Sequence, residues 1–408
     1  MIRFFFQAGL TIICRPGLRV FIPLFLLLLL TGCAGRLEKA SELFHAEQPE
    51  AALAELEKGD IFGGRNRLLF LLERGTVLHQ LGRYRESSEA LLQAADLLQS
   101  YEQLGISEQV GSLVTTEWLT RYKGEYSERL WVHSYQMMNF LLLGEYDSAY
   151  VEARRAVELY QRYPQALKND FFSRGLIALC FATVGEENDA YLVYRQLADD
   201  LPGPAPVVAD LLRISSRLGQ RDDVERYQGL LPPNLPAADG ELVLFIANGR
   251  IPEKMPGNII VPPSIRFSFP YYETSHAALA QVVLSPASPM LPPLSTSLGE
   301  VARQSLDQRK LQLIAKETAR VAAKEAISQK VGKDYGPTAE AVARISLLLL
   351  EEPDTRSWQT LPGRLTLVRV PLLSGQHMIR VRLQGRGEVK LPEFQLRKGQ
   401  KVFFSLRF

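Results

Sequence analysis

Between residues 81 and 223 the chain writes one short phrase four times: Leu81-Gly82-Arg83-Tyr84-Arg85-Glu86, Leu143-Gly144-Glu145-Tyr146-Asp147-Ser148-Ala149, Val184-Gly185-Glu186-Glu187-Asn188-Asp189-Ala190 and Leu218-Gly219-Gln220-Arg221-Asp222-Asp223. A phrase that returns every few tens of residues commits a chain to a stack of like units, because each unit exposes an apolar face that only a neighbour can cover. The glycine suits the end of one helix and a tight turn into the next. An aromatic two positions on, and a small residue at Ala149 or Ala190, let paired helices approach closely. The last two glycines are 34 residues apart (219 − 185), and Ala46, within Phe44 to Ala51, stands 36 before Gly82 in an equivalent setting. The intervals of 62 and 41 residues between Gly82, Gly144 and Gly185 are longer, which predicts insertions or longer helices there and four to five repeats in all.

This phrase, with Gly75 and Ala94 in the same frame around Gly82, resembles the tetratricopeptide repeat. The resemblance implies helical hairpins stacked into a superhelix whose concave groove takes a protein segment. Trp118, Tyr122, Tyr126, Trp131 and Tyr135 are the candidates for lining that groove, although an aromatic stripe at helical spacing more often belongs to a core.

Composition changes at Pro232. From Glu241 the chain runs in short β-branched stretches, Leu242 to Ile246, Ile259 to Val261, Ile265 to Phe269 and Ala280 to Leu284, with prolines that exclude long helices. Alternation returns in Leu365 to Val370, Ile379 to Leu383, Lys390 to Leu396 and Val402 to Phe408, which predicts a β-meander or small sandwich. Between these sets, Gly299 to Lys330 lacks proline and any further glycine, as a long helix requires, and Pro337 to Glu351 predicts a second helix ending in a buried Leu347 to Leu350. Lys316, Arg320 and Lys324, four apart on one helical face, are a solvated ridge or a contact for anionic lipid or an acidic partner. The expected fold is α+β and multidomain: a tetratricopeptide-like superhelix over 33–231, then a strand-rich, sandwich-like domain over 232–408 carrying a helical insert at 298–351.

Residues 1–32 form a signal peptide: Arg3, Arg15 and Arg19 without an acidic residue, an apolar run from Val20 to Leu30, then Leu30-Thr31-Gly32-Cys33. The run is shorter than the roughly 20 residues that cross a bilayer. The tetrapeptide resembles the lipobox of bacterial lipoproteins, which implies cleavage before Cys33, acylation of its thiol and anchorage in a membrane. In that family an aspartate after the cysteine favours the inner membrane; here the residue is Ala34, which implies the outer membrane and a body facing the periplasm. Cleavage removes three of the 47 basic residues against 45 acidic ones, so the mature net charge is −1 (44 − 45). Nucleic-acid binding needs concentrated Lys and Arg and is not indicated. Of the three cysteines, Cys14 leaves with the signal and Cys33 is acylated, so Cys180, among Leu176, Ile177, Leu179 and Phe181, is a lone buried thiol.

No catalytic, metal or cofactor constellation stands out. His45, His79, His133, His276 and His377 are too widely spaced for a zinc site on one element, and neither HExxH nor CxxC occurs. Val331-Gly332-Lys333 fails as a phosphate loop, because Ile327 replaces the leading glycine and Asp334 the magnesium-binding hydroxyl. No Gly-x-Ser-x-Gly elbow is present. Asp354, Arg356 and Trp358 suggest an ion pair capped by an indole at a strand entry.

The whole order, lipobox, helical repeats, strands, basic helix and the phrase Asp354-Thr355-Arg356-Ser357-Trp358-Gln359-Thr360-Leu361-Pro362, is similar to a family of proteobacterial outer-membrane lipoproteins with tetratricopeptide repeats. That similarity implies location and architecture and carries no catalytic residue across. The expected function is a non-enzymatic scaffold in cell-envelope assembly or its regulation, bound to the membrane through Cys33 and to an unidentified envelope protein, with no nucleotide or nucleic-acid partner. Its competitors are a structural part of a secretion or surface-organelle complex and a cell-wall-modifying enzyme.

Overall fold

The computed structural model describes residues 35–58, 64–104, 121–231, 238–261, 265–274, 281–349 and 352–408. Helices come first and pair as antiparallel hairpins: α1 (35–45) with α2 (Pro49–Glu57), α3 (Arg67–Gln80) with α4 (Tyr84–Leu104), α5 (Tyr126–Leu143) with α6 (Tyr146–Arg162), α8 (Phe171–Val184) with α9 (Glu187–Asp200), and α10 (Val208–Leu218) with α11 (Arg221–Gln228). The single turn α7 (Pro164–Leu167) sits between α6 and α8. Among the described residues there are thus five hairpins.

The turn glycines Gly82, Gly144, Gly185 and Gly219 all adopt φ between +72° and +88°, a left-handed conformation that side chains with a Cβ resist. In the first hairpin that conformation falls on Glu47 (φ +61°), 35 residues before Gly82 (82 − 47), so the frame begins one residue later than Ala46. The long interval after Gly82 holds the 21-residue α4 and residues 105–125; α7 lengthens the next. Five residues after the first three of these glycines the chain turns inward with Ser87, Ala149 and Ala190, all wholly buried, while Val224 after Gly219 is half-buried. Gly75 meets the Leu91 side chain so closely that an added Cβ would stand 2.6 Å from its Cδ2.

The strand region forms two further layers. A four-stranded sheet has the order β11-β1-β6-β5, built from β1 (Gly240–Asn248), β5 (Leu294–Ser297), β6 (Arg364–Leu372) and β11 (Lys401–Arg407). It is not a simple meander, because β1 and β11 run parallel while the other pairs are antiparallel. Period-two alternation divides each strand between two cores. Val243 and Phe245 of β1, Leu365 and Leu367 of β6 and Phe403 of β11 join the helical core. Leu242, Leu244, Ile246, Val368 and Val370 face a second core, closed by β4 (Val282–Ser285), β8 (Arg380–Leu383) and β10 (Phe394–Leu396), with β9 (Gly387–Lys390) paired to β8 and β7 (Gly375–His377) to β10. The helical layer and the sheet therefore share one apolar core. Arg369 of β6 ties the layers electrostatically, pairing with Asp210 of α10 and, at 2.7 Å, with Glu241 of β1.

An arm completes the molecule. α12 (Leu298–Tyr335) has 38 residues, about 57 Å at 1.5 Å per residue, and turns at Gly336 (φ +91°) into α13 (Pro337–Leu349). The hairpin of β2 (Lys254–Val261) and β3 (Ile265–Tyr272) packs on α12. Two expectations are corrected here. Arg320 and Lys324 are buried, at 1% and 8% exposure, on a helix that packs against both α13 and β3, so neither belongs to a solvated ridge. α13 is not buried along its length, since Val342 and Ile345 are exposed; the side chains of Leu347 to Leu350, and that of Lys316, lie outside the described residues.

Candidate functional site

The concave face of the helical layer, where a partner segment was expected, holds the chain's own residues 354–361. Arg356 pairs with Asp354 at 2.7 Å and donates to Asn66 Oδ1 at 2.9 Å, beside the start of α3. The Trp358 backbone N–H donates to Glu128 Oε1 at 2.8 Å, and its indole Nε1 to Thr76 Oγ1 at 2.8 Å. Glu73 accepts the N–H of Gln359 at 2.7 Å on one oxygen and that of Thr360 at 3.0 Å on the other. His45 Nε2 contacts the Gln359 carbonyl at 2.8 Å. The segment has no strand partner of its own, so its polar backbone would be stranded in an apolar interior without these side chains. The expected Asp354–Arg356 pair is present, but Trp358 does not cap it; the indole is wholly buried between the layers.

Burial governs the acids of this face. It pushes the Glu73 carboxyl up to about 7 against the hydrogen bonds that favour its charge. Burial, then the charge of Glu125, raises Glu128, which also accepts from the Tyr122 hydroxyl and the Glu125 N–H. Glu125 is the exception: burial is outweighed by Lys254 and Arg309, which hold its carboxyl at about 2.

Four of the five aromatics predicted to line a groove can be placed, and they do not line an open one. Tyr122, Trp131 and Tyr135 are buried. Trp131 Nε1 donates to Asp170 Oδ2 at 2.9 Å, fixing α5 to the start of α8, and Tyr135 packs against the His79 and Trp358 rings. Tyr126, half-buried, stacks on Tyr163 with centroids 3.8 Å apart. The sheet and residues 354–361 cover what would have been the groove. Trp118, Cys33 and Ala34 lie outside the described residues.

Sequence spacing missed one constellation. His79 Nδ1 lies 2.6 Å from Asn139 Oδ1, and its Nε2 2.8 Å from Ser405 Oγ, residues from α3, α5 and β11. The order Ser–His–Asn matches a nucleophile relay. However, Ser405 sits mid-strand opposite Phe245, burial holds the imidazole neutral with its pKa at about 4, and the adjoining cavity of about 10 Å³ has room for one water. The relay pins the sheet to the helices. Among the described residues no group of three or more His, Cys, Asp or Glu is placed to hold a metal, and no helix is long and apolar enough to cross a membrane.

An open cleft of about 570 Å³ lies between α6, α8 and α9. Tyr160, Ile177, Phe181 and Leu192 supply apolar lining, and Arg174, paired with Asp200 at 2.7 Å, stands at its rim.

No protein-family model matches the sequence, and no curated protein matches it. Among solved structures, the chain is similar to MamA 41-end from Desulfovibrio magneticus RS-1, at 13% identity over 47% of this chain and 91% of that one, TM-score 0.32. It is similar to PilF of Pseudomonas aeruginosa at 18% identity over 49% and 76%, TM-score 0.32. It is also similar to a Podosopora anserina kinesin light chain with nearly identical TPR-like repeats, at 14% identity over 48% and 91%, TM-score 0.34.

Proposed function

We propose that the chain is a lipid-anchored protein of the bacterial envelope, held through Cys33 on the periplasmic face of the outer membrane, that works as a non-enzymatic scaffold. The observation that carries this reading is the sequence Leu30-Thr31-Gly32-Cys33 behind a short apolar run, followed within two residues by a helix built into the folded body. Leu37, Ala40 and Phe44 of α1 belong to the main core, so the body begins where the signal ends.

Helical-hairpin stacks bind protein segments on exposed grooves. Here residues 354–361 take up the face of the inner helices, so protein contact falls to the open cleft at Leu192, lined by apolar and charged side chains alike. Cell-envelope assembly is the process this arrangement suits: a body fixed at the membrane and presenting an open cleft to a partner.

Cys33→Ala is expected to block acylation and leave uncleaved precursor, and Ala34→Asp to move the mature protein toward the inner membrane. Normal maturation of the first variant would overturn the anchor, and unchanged fractionation of the second would overturn the outer-membrane assignment. A photocrosslinker at Leu192 is expected to capture one dominant envelope protein, while one at Tyr135 captures none.

A further inference from the structure

We infer that the arm formed by α12, α13 and the β2–β3 hairpin lies on the same lipid surface that holds the N-terminus, as a second, non-covalent membrane contact. This rests on the anchor at Cys33 proposed above. Only Ala34 separates Cys33 from Gly35, the first described residue of α1, so two chain steps keep the anchor within about 7 Å of the folded body. No tether lets the body swing away.

The geometry fixes which edge faces the lipid. In α1 the early Lys39 meets Glu55 near the end of α2 at 3.3 Å, so the first hairpin starts where its second helix ends. The starts of the later inner helices share that edge. The Tyr122 N–H, just before α5, donates to the Arg65 carbonyl, just before α3, at 2.9 Å. Trp131, in the first half of α5, donates to Asp170, just before α8, at 2.9 Å. Glu102, near the end of α4, receives Arg129 from the start of α5 and Arg162 from the end of α6. The turn glycines lie on the opposite edge.

The arm is rooted on the anchor's edge. Arg309 of α12 and Lys254 of β2 both pair with Glu125 at the start of α5, Ser305 accepts the Ser127 N–H at 3.2 Å, and Gln304 donates to the Gln165 carbonyl at 2.6 Å. Two interhelical spacings of about 8–10 Å separate α1 from α5, so root and anchor lie roughly 20 Å apart.

The arm's polarity is turned inside out. Arg320, Lys324 and Ser328 are buried, and Arg344 of α13 reaches inward to Glu325 and Glu340. Outward point Ile314 and Ile327 of α12, Val342 and Ile345 of α13, and Tyr335 at the tip, 79% exposed. With Ile259 and Tyr271 of the β-hairpin these are seven of the thirteen large exposed hydrophobics among the described residues, and so much apolar surface on one projection marks a contact face. A water-facing helix shows charge outward; a helix on lipid shows apolar residues outward, with lysines to meet headgroups. Lys310, Lys330 and Lys333 are exposed on α12. The bilayer is the one apolar surface that the anchor brings to this edge.

The test uses the full acylated chain with Val342→Cys or Ile345→Cys carrying an environment-sensitive fluorophore, and Asp147→Cys on the opposite edge as control. Buried Cys180 stays unlabelled. In vesicles of phosphatidylethanolamine and phosphatidylglycerol, labels at 342 and 345 are expected to shift to the blue and be quenched by brominated acyl chains, with neither change at 147. Labels at 342 and 345 that stay water-like on an acylated chain would overturn the contact and leave the anchor standing. A blue shift that needs no vesicles and grows with protein concentration would assign the face to a second copy instead. A chain that mass measurement finds unacylated, but whose labels still shift with vesicles, would sink the anchor and keep the contact.

Discussion

Trp358 Nε1 donates to Thr76 Oγ1 at 2.8 Å although 282 positions separate the two residues. The indole is wholly buried between the helical layer and the sheet, so its volume and its N–H act in the same place. Removing the side chain leaves a cavity and takes away the bond the Thr76 hydroxyl accepts, although that hydroxyl still donates to the Leu72 carbonyl at 3.2 Å. Trp358→Ala is expected to cost about 3–5 kcal/mol, and Trp358→Phe, which keeps most of the volume, about 1–2. Denaturant unfolding of both variants checks this; equal losses would mean that the hydrogen bond and the packing are not separable here.

Glu73 and His79 titrate against each other. The raised Glu73 carboxyl, at about 7, makes the folded state bind more protons than the unfolded one between pH 4.5 and 7, so this group stabilises the fold as pH falls through that window. The depressed His79, at about 4, makes the unfolded state bind more protons between pH 6.5 and 4, so it destabilises the fold as pH falls. Each amounts to about 2 kcal/mol between pH 7 and 5, with opposite signs. Partly exposed His45, also lowered to about 4, adds to the loss. The two histidines together outweigh Glu73, so the parent protein should lose stability modestly from pH 7 to 5. His79→Gln is expected to gain stability on going from pH 7 to 5, and Glu73→Gln to lose it; unfolding midpoints at the two pH values decide, and two variants that track the parent would refute the pairing.

Gly175 lets α8 lie directly on the sheet. A Cβ at this position would stand 2.3 Å from Leu294 Cδ1 of β5. Gly175→Ala is expected to cost about 1–3 kcal/mol through overpacking. The same change in a Leu294→Ala background should cost clearly less, because the clashing atom is gone, and a double-mutant cycle measures that coupling. Additive losses would place the strain elsewhere.

The parts of the fold legible in the sequence are those whose signal is local. The four turn glycines needed only their own backbone conformation to be recognised, and alternation in Leu242 to Ile246 or Leu365 to Val370 follows from the strand's pleat. What alternation cannot show is which of two cores each face meets, and the parallel β1–β11 pair joins residues 160 positions apart (401 − 241). The aromatics of α5 illustrate the same limit: stripe spacing shows that Trp131 and Tyr135 share a helix, but whether they face a ligand or residues 354–361 is decided by a segment more than 200 positions away. Arg320 and Lys324 look solvated because charge usually is; their burial depends on α13 and β3, which periodicity cannot dock. The relay of His79, Asn139 and Ser405 combines three elements and has no sequence spacing at all.

Cys180 gives a direct count of anchored chains. It is free, buried among the residues of α8, and burial pushes its thiol far above the ordinary range, so in the folded protein it should resist thiol reagents that attack the thiolate. If the chain is cleaved before Cys33 as proposed, its other cysteine is Cys33. Protein extracted from membranes is expected to show no reactive thiol when native and one after full denaturation, at the rate set by unfolding. Two thiols after denaturation would mean that Cys33 carries no acyl chain. One thiol that reacts at once in the native protein would mean that α8 opens to solvent near Cys180, against its placement in the core; quantifying labelled cysteines by peptide mass separates the two cases.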